Sequence, residues 1–189
     1  MKIALFGGRF DPPHLGHYWV ARQVLDFRPD IEKVILIPAY QHQWKTAMAS
    51  PLQRMDMLRS FTGSGIEVSD IELKRQGVSY TIDTIRELKK QTSADVLWVV
   101  GSDILHEFAR WEKADELVKE AGFLVFPRDP YHLPPNIPPG FEVLSDTRLI
   151  TSNLSSTTIK QRRKEGLSLE GFVLPEVEAY ITEKNLYLT

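Results

Sequence analysis

The sequence predicts an α/β protein: a doubly wound, mostly parallel sheet with helices on both faces. Apolar runs of buried-strand length recur at Ile3 to Phe6, Val34 to Pro38, Val96 to Val100 and Phe123 to Phe126. Stretches with helical spacing alternate with them, the pattern of strand–helix–strand crossovers rather than of hairpins. The runs also stop at glycine or proline, residues that end ladders or permit sharp turns. At 189 residues the chain can bury one substantial core, so a single domain over 1–189 is expected, with a helical C-terminal portion from about 154–189. No apolar run approaches the ~20 residues of a membrane span and no signal-peptide pattern precedes the first strand. A soluble cytoplasmic protein is the expectation.

Taken in order, Ile3 to Phe6 reads as a strand ending in a turn at Gly7-Gly8. From about Pro13 the spacing of Leu15, Tyr18, Trp19, Val20, Val24 and Leu25 predicts a helix, with proline at a first position it tolerates well. Lys33 to Pro38 is a second strand, and Ala39 to Ser50 a loop at its C-terminal end, where open α/β sheets meet ligands. Leu52, Met55, Leu58 and Phe61 mark an amphipathic helix after Pro51, and Ile66 to Ile71 alternates like a strand. Ile82, Ile85 and Leu88 form the apolar side of a helix that Ser79 or Thr81 can cap. Asp95 to Val100 is the strongest central strand and leads into a turn at Gly101; helical spacing returns at Ala114, Leu117, Val118 and Ala121. Gly122 to Phe126 is a strand ending near Arg128, Asp129 to Gly140 a proline-rich loop, and Glu142 to Ile150 a last short strand. Ser155 and its neighbours cap a helix that closes at Gly166.

Charge and composition narrow the chemistry. With 23 basic and 25 acidic residues the formal net charge is −2, so no global basic field recruits nucleic acid. The chain has no cysteine, which excludes disulfides, thiolate metal sites and a cysteine nucleophile. What remains is local. A strand, a glycine pair and a helix in succession present free N–H groups and the positive end of a helix dipole, both suited to phosphate. His14 and His17, three apart on that helix, project to one side, and Gly16 between them leaves a ligand unobstructed. By spacing alone the pair could also ligate a metal, but catalytic zinc sites need a third protein ligand and only Asp11 is at hand, so no metal ligand is assigned.

The stretch Gly7-Gly8-Arg9-Phe10-Asp11-Pro12-Pro13-His14-Leu15-Gly16-His17 resembles the signature of the HxGH nucleotidyltransferases, and within them bacterial nicotinate mononucleotide adenylyltransferases. The resemblance spans nearly the whole chain and implies a Rossmann-like fold, with Leu174 through Leu186-Tyr187 as its closing helix. It also implies transfer of AMP from ATP to nicotinate mononucleotide, with Mg²⁺ accompanying the triphosphate. On it, His14, His17, Lys45 and Lys160 are assigned to catalysis. Gly7, Gly8, Phe10, Asp11, Gly16, Gly101, Asp103, Ser155, Ser156, Thr157 and Arg162 are assigned to ATP. Trp44, Tyr80, Thr81, Trp111 and Arg128 are assigned to the mononucleotide, Trp111 by stacking on the pyridine ring. The chain departs from the family pattern twice. His42-Gln43-Trp44 stands where Pro-Pro-His is usual before the lysine, and Leu154-Ser155-Ser156-Thr157-Thr158-Ile159-Lys160 carries lysine where the family has arginine. Lysine keeps the charge and loses the bidentate fork. Amidated mononucleotide, phosphopantetheine and a non-catalytic nucleotide sensor remain alternatives, and assembly into a homo-oligomer stays open.

Overall fold

A computed structural model describes residues 2–188; Met1 and Thr189, the ends of the expected 1–189 domain, lie outside them. Six strands form one all-parallel sheet in the order β3-β2-β1-β4-β5-β6: β1 Lys2–Gly8, β2 Ile31–Pro38, β3 Ile66–Val68, β4 Asp95–Gly101, β5 Gly122–Phe126 and β6 Phe141–Val143. The order reverses between β1 and β4, and such a reversal opens a crevice at the carboxyl ends of the strands. The helices are α1 Leu15–Phe27, α2 Pro51–Arg59, α3 Ile71–Arg75, α4 Thr81–Lys89, α5 Ala114–Glu120, α6 Ser156–Lys164 and α7 Pro175–Glu183.

Strand alternation divides the apolar residues between two cores. Ala4, Leu36, Val99 and Leu124 face one side of the sheet, where Val24, Met57, Leu58, Ile159, Val177 and Ile181 from α1, α2, α6 and α7 cover them. Leu5, Ile35, Trp98 and Val125 face the other, against Ile71, Ile82, Ile85, Leu88 and Leu117 from α3, α4 and α5. Both faces are therefore dry, as a parallel sheet requires. Each fully buried aliphatic side chain contributes roughly 1.5–3 kcal/mol.

Several expected boundaries shift, each for a local reason. Gly7 and Gly8 are not a turn; they continue β1, paired with Ile37 and Pro38. Glycine is needed at Gly7 because a Cβ there would run into the Trp98 ring. The reversal comes two residues later, at Phe10, whose φ is 49°. Helix α1 starts at Leu15 rather than near Pro13, because His14 keeps an extended backbone and occupies the N-cap. Strand β3 stops at Val68: the Ser69 hydroxyl turns back to accept the Ile71 N–H, and Ile71 begins the short α3 that alternation had disguised. Neither Ser79 nor Thr81 caps α4. Ser79 accepts the Tyr40 N–H at 2.9 Å, Thr81 is already helical, and Tyr80 stands in the cap position without a side-chain cap.

Instead of a turn, Gly101 caps a short 3₁₀ segment, Ser102–His106, followed by a second at Phe108–Arg110. Strand β6 is shorter than Glu142 to Ile150 because Asp146 accepts the Arg148 N–H and curls the chain off the sheet edge. Helix α7 ends at Glu183; Asn185 and Tyr187, with φ of 52° and 61°, turn the last residues back into the protein.

Candidate active site

The crevice over β1 and β4 is a cavity of about 340 Å³. Its floor is the β1–α1 junction. His14 is buried at the N-cap of α1 and His17 sits one turn on, with their ring centroids 3.7 Å apart and the planes inclined by 32°. The His14 backbone N–H donates to His17 Nδ1 at 3.2 Å, so the His17 proton resides on Nε2, a donor on the far side of the ring. Phe10 supports the same ring edge-on at 4.8 Å. Gly16 permits this packing, since a Cβ there would lie 3.0 Å from the His14 imidazole and 3.6 Å from Leu154.

Both imidazoles are held neutral. Burial, then the nearby Arg128 guanidinium, pushes His14 down to about 3. Burial, then His14 and Arg128, holds His17 well below the usual histidine range. The pair therefore meets a ligand as neutral N–H donors rather than as cations. Fixed positive charge comes from Arg9, Lys45 and Arg128, which also line the cavity. Arg128 lies 3.6 Å from Asp103 and donates to the Leu154 carbonyl at 3.3 Å, bridging the 3₁₀ segment after β4 to the approach to α6.

Helix α6 arrives beside α1. Ser155 caps it by accepting the Thr158 N–H, and the Ser156 hydroxyl donates to the Pro12 carbonyl at 2.8 Å. One turn along, Lys160 Nζ lies 3.5 Å from Asp11 Oδ2. Two helix N termini thus stand side by side at one end of the cavity.

The assigned residues fall into three groups. Gly7, Gly8, His14, Gly16, His17, Trp44, Lys45, Tyr80, Thr81, Gly101, Asp103, Trp111 and Arg128 line the cavity. Trp111 follows the second 3₁₀ segment and leans on Phe108 at 5.5 Å; Trp44 is held from the same segment by Arg110, 5.1 Å above its ring. Ser155, Ser156, Thr157 and Lys160 stand at the head of α6 beside the cavity rather than in its wall. Phe10 and Asp11 are buried beneath it, and Arg162 points away, bonded to the Ser168 carbonyl and stacked on Phe172 at 4.2 Å. Phe10 and Asp11 thus support the site from behind, whereas Arg162 lies outside it.

Four contributors escape sequence inspection. Arg9 lines the cavity and reaches the Thr46 carbonyl. Arg54 is 1% exposed and spans the carbonyls of Arg9, Tyr40 and Ala49, stapling the β1–α1 loop to the loop before α2. Glu72 is buried at the cavity wall, accepts the Thr84 hydroxyl at 2.6 Å, and is pushed above the usual carboxylate range by that burial. Tyr187 donates its hydroxyl to Asp11. Only the apolar surroundings of Arg54 in α2 hinted at an unusual environment.

Among the described residues no three His, Asp or Glu side chains group as a metal site, and no helix is long and apolar enough to cross a membrane. Residues 5–162 match the family described as cytidylyltransferase-like. Over 99% of its length the chain is 37% identical to a protein of Opitutus terrae named "Probable nicotinate-nucleotide adenylyltransferase", 98% of which is covered. A protein of the same name from Shouchella clausii is 35% identical, with 98% of this chain and 96% of that one covered. In fold the chain is similar to the Plasmodium falciparum nicotinic acid mononucleotide adenylyltransferase solved with NaAD, at TM-score 0.79 and 18% identity, covering 98% of this chain and 97% of the other. A match that runs from β1 into α6, joined by full-length relatives at these identities, places the chain in the cytidylyltransferase-like family, among the nicotinate-nucleotide adenylyltransferases.

Proposed function

We propose that this enzyme transfers AMP from ATP to nicotinate mononucleotide, giving nicotinate adenine dinucleotide and pyrophosphate, and that the triphosphate lies where α1 and α6 begin. The observation that carries this placement is the Ser156–Pro12 hydrogen bond, which joins the two helix N termini at one end of the cavity. Helix N termini favour anions through unpaired N–H groups and the dipole, and two of them suit a polyphosphate better than one.

The attacking group is the mononucleotide's phosphate, a monoester with a second pKa near ~6 and so already largely a dianion at neutral pH. It needs no general base, and none is assigned. What lowers the barrier is alignment of the attacking oxygen, the α-phosphorus and the departing pyrophosphate, with donors placed where charge grows. His17 offers its Nε2–H to the α-phosphate oxygens in the transition state. His14, Lys45, Ser156 and Lys160 hold the β- and γ-phosphates. Mg²⁺ belongs to the substrate complex: it prefers phosphate oxygens and water, and the carboxylates nearest α6 are already committed, Asp11 to three short neutral donors and Asp103 to Arg128. Trp111 takes the pyridine ring, whose electron-poor face suits an indole. Tyr80 and Thr81, at the uncapped start of α4, take its carboxylate.

The reading is tested by pyrophosphate release from ATP with a panel of acceptors. Release with nicotinate mononucleotide well above that with the amidated mononucleotide or phosphopantetheine supports it. Preference for either of the latter replaces the acceptor, and release with none makes the protein a nucleotide-binding module.

A further inference from the structure

Among the described residues Asp11 is the most heavily engaged carboxylate, and one of its partners comes from the far end of the chain. Its Oδ1 accepts the Ala49 N–H at 3.0 Å and the Tyr187 hydroxyl at 2.8 Å. Its Oδ2 accepts the Met48 N–H at 2.9 Å, while the Lys160 ammonium stands off at 3.5 Å. Asp11 is 1% exposed and Tyr187 4% exposed, so water does not compete for these contacts. Three neutral donors at short range therefore solvate the carboxylate, and the lysine contributes only a long contact. Delivering the phenol takes two residues with left-handed backbone, Asn185 and Tyr187, a conformation that asparagine adopts readily and that tyrosine adopts only at a cost. The closing helix alone would bury apolar surface without that reversal.

We infer that Tyr187 is a positioning residue of the triphosphate site: by satisfying Asp11 it keeps the carboxylate from drawing in Lys160, leaving the ammonium free to face phosphate. Without the hydroxyl, Oδ1 has an open acceptor site inside a dry pocket, and the nearest mobile cation is Lys160. A lysine held short by Asp11 is a poorer partner for ATP. The same hydroxyl indirectly sets the loop before α2, since Met48 and Ala49 are bonded to the same carboxylate.

This inference rests on the proposed placement of the triphosphate, and its test is arranged to separate the two. Tyr187→Phe removes the hydroxyl and keeps the ring. We expect KM for ATP to rise roughly fivefold, the size of one net hydrogen bond, with KM for the mononucleotide within about twofold of wild type. In a Lys160→Met background the same change should add nothing to KM for ATP, because the cation it acts through is gone. Thermal stabilisation by inorganic tripolyphosphate gives a second readout that needs no acceptor: strong for wild type, weakened in Tyr187→Phe. If wild type is inert with every acceptor while the tripolyphosphate difference persists, the proposed reaction falls and the role of Tyr187 stands. A melting temperature that drops with KM for ATP and tripolyphosphate binding unmoved makes Tyr187 purely structural and overturns the inference, as does an undiminished rise in the Lys160→Met background.

Discussion

The Ser156 hydroxyl and the Pro12 carbonyl, 144 positions apart in sequence, meet at 2.8 Å. That single bond sets the start of α6 against the loop that carries His14 and His17. The proposed triphosphate site rests on this adjacency of the two helix starts.

The first consequence concerns His17. Its Nδ1 is occupied by the His14 N–H, leaving Nε2–H to stabilise charge that develops in the transition state. His17→Ala should lower kcat by about 10²-fold, the order found for one such donor, with little change in KM for ATP. Steady-state kinetics decide it, and a variant with near wild-type kcat contradicts the role.

Acid should weaken the fold through the same pair. Unfolded histidine titrates near 6.5, whereas His14 in the folded protein is pushed down to about 3 and His17 is also lowered. Between those values the unfolded chain binds more protons, so stability falls as pH drops below 6.5, by about 1.4 kcal/mol per pH unit for each proton excluded. Glu72, raised by burial, works in the opposite direction above 4.5. Comparing urea titrations of wild type and His17→Ala from pH 7 to 5 cancels that contribution. The variant should show a shallower slope, and equal slopes contradict a neutral His17.

Arg54 makes a purely structural forecast. Arg54→Met keeps the volume and strands three carbonyls, those of Arg9, Tyr40 and Ala49, in a dry site. Stability should fall by about 3 kcal/mol or more, measured by denaturant unfolding. A loss below about 1 kcal/mol means water replaces the guanidinium.

Trp111 separates acceptor from donor binding. Trp111→Ala should raise KM for the mononucleotide while leaving KM for ATP near wild type. An unchanged mononucleotide KM removes the stacking role.

Much of the fold was legible because local chemistry decides it. β1, β2, β4 and β5 are apolar runs that no amphipathic surface element would carry, and Ser155 and Gly166 punctuate α6 by side-chain capping and by a φ of 70°. The errors fall where distant contacts override local preference. Gly7 and Gly8 look like a turn until Trp98 is packed against Gly7. Ser79 looks like a cap until the Tyr40 N–H claims it. Ile71 is the exception: it completes an alternating strand in the sequence, yet a local bond from its N–H to the Ser69 hydroxyl accompanies the start of a short helix there.

In the site, the motif residues that line the cavity were readable as a pattern. The supporting shell was not. Asp11 and Tyr187 meet across 176 positions and Arg54 and Arg9 across 45, and no periodicity or spacing rule connects residues at such separations.

The central claim is that one triphosphate bridges the starts of α1 and α6. It is tested most directly by a crystal structure with a non-hydrolysable ATP analogue. The account predicts β- and γ-phosphate oxygens within hydrogen-bond distance of both His14 or Gly16 on one side and Ser156 or Thr157 on the other. Phosphates that contact only one of these helix starts, or lie elsewhere in the cavity, contradict it.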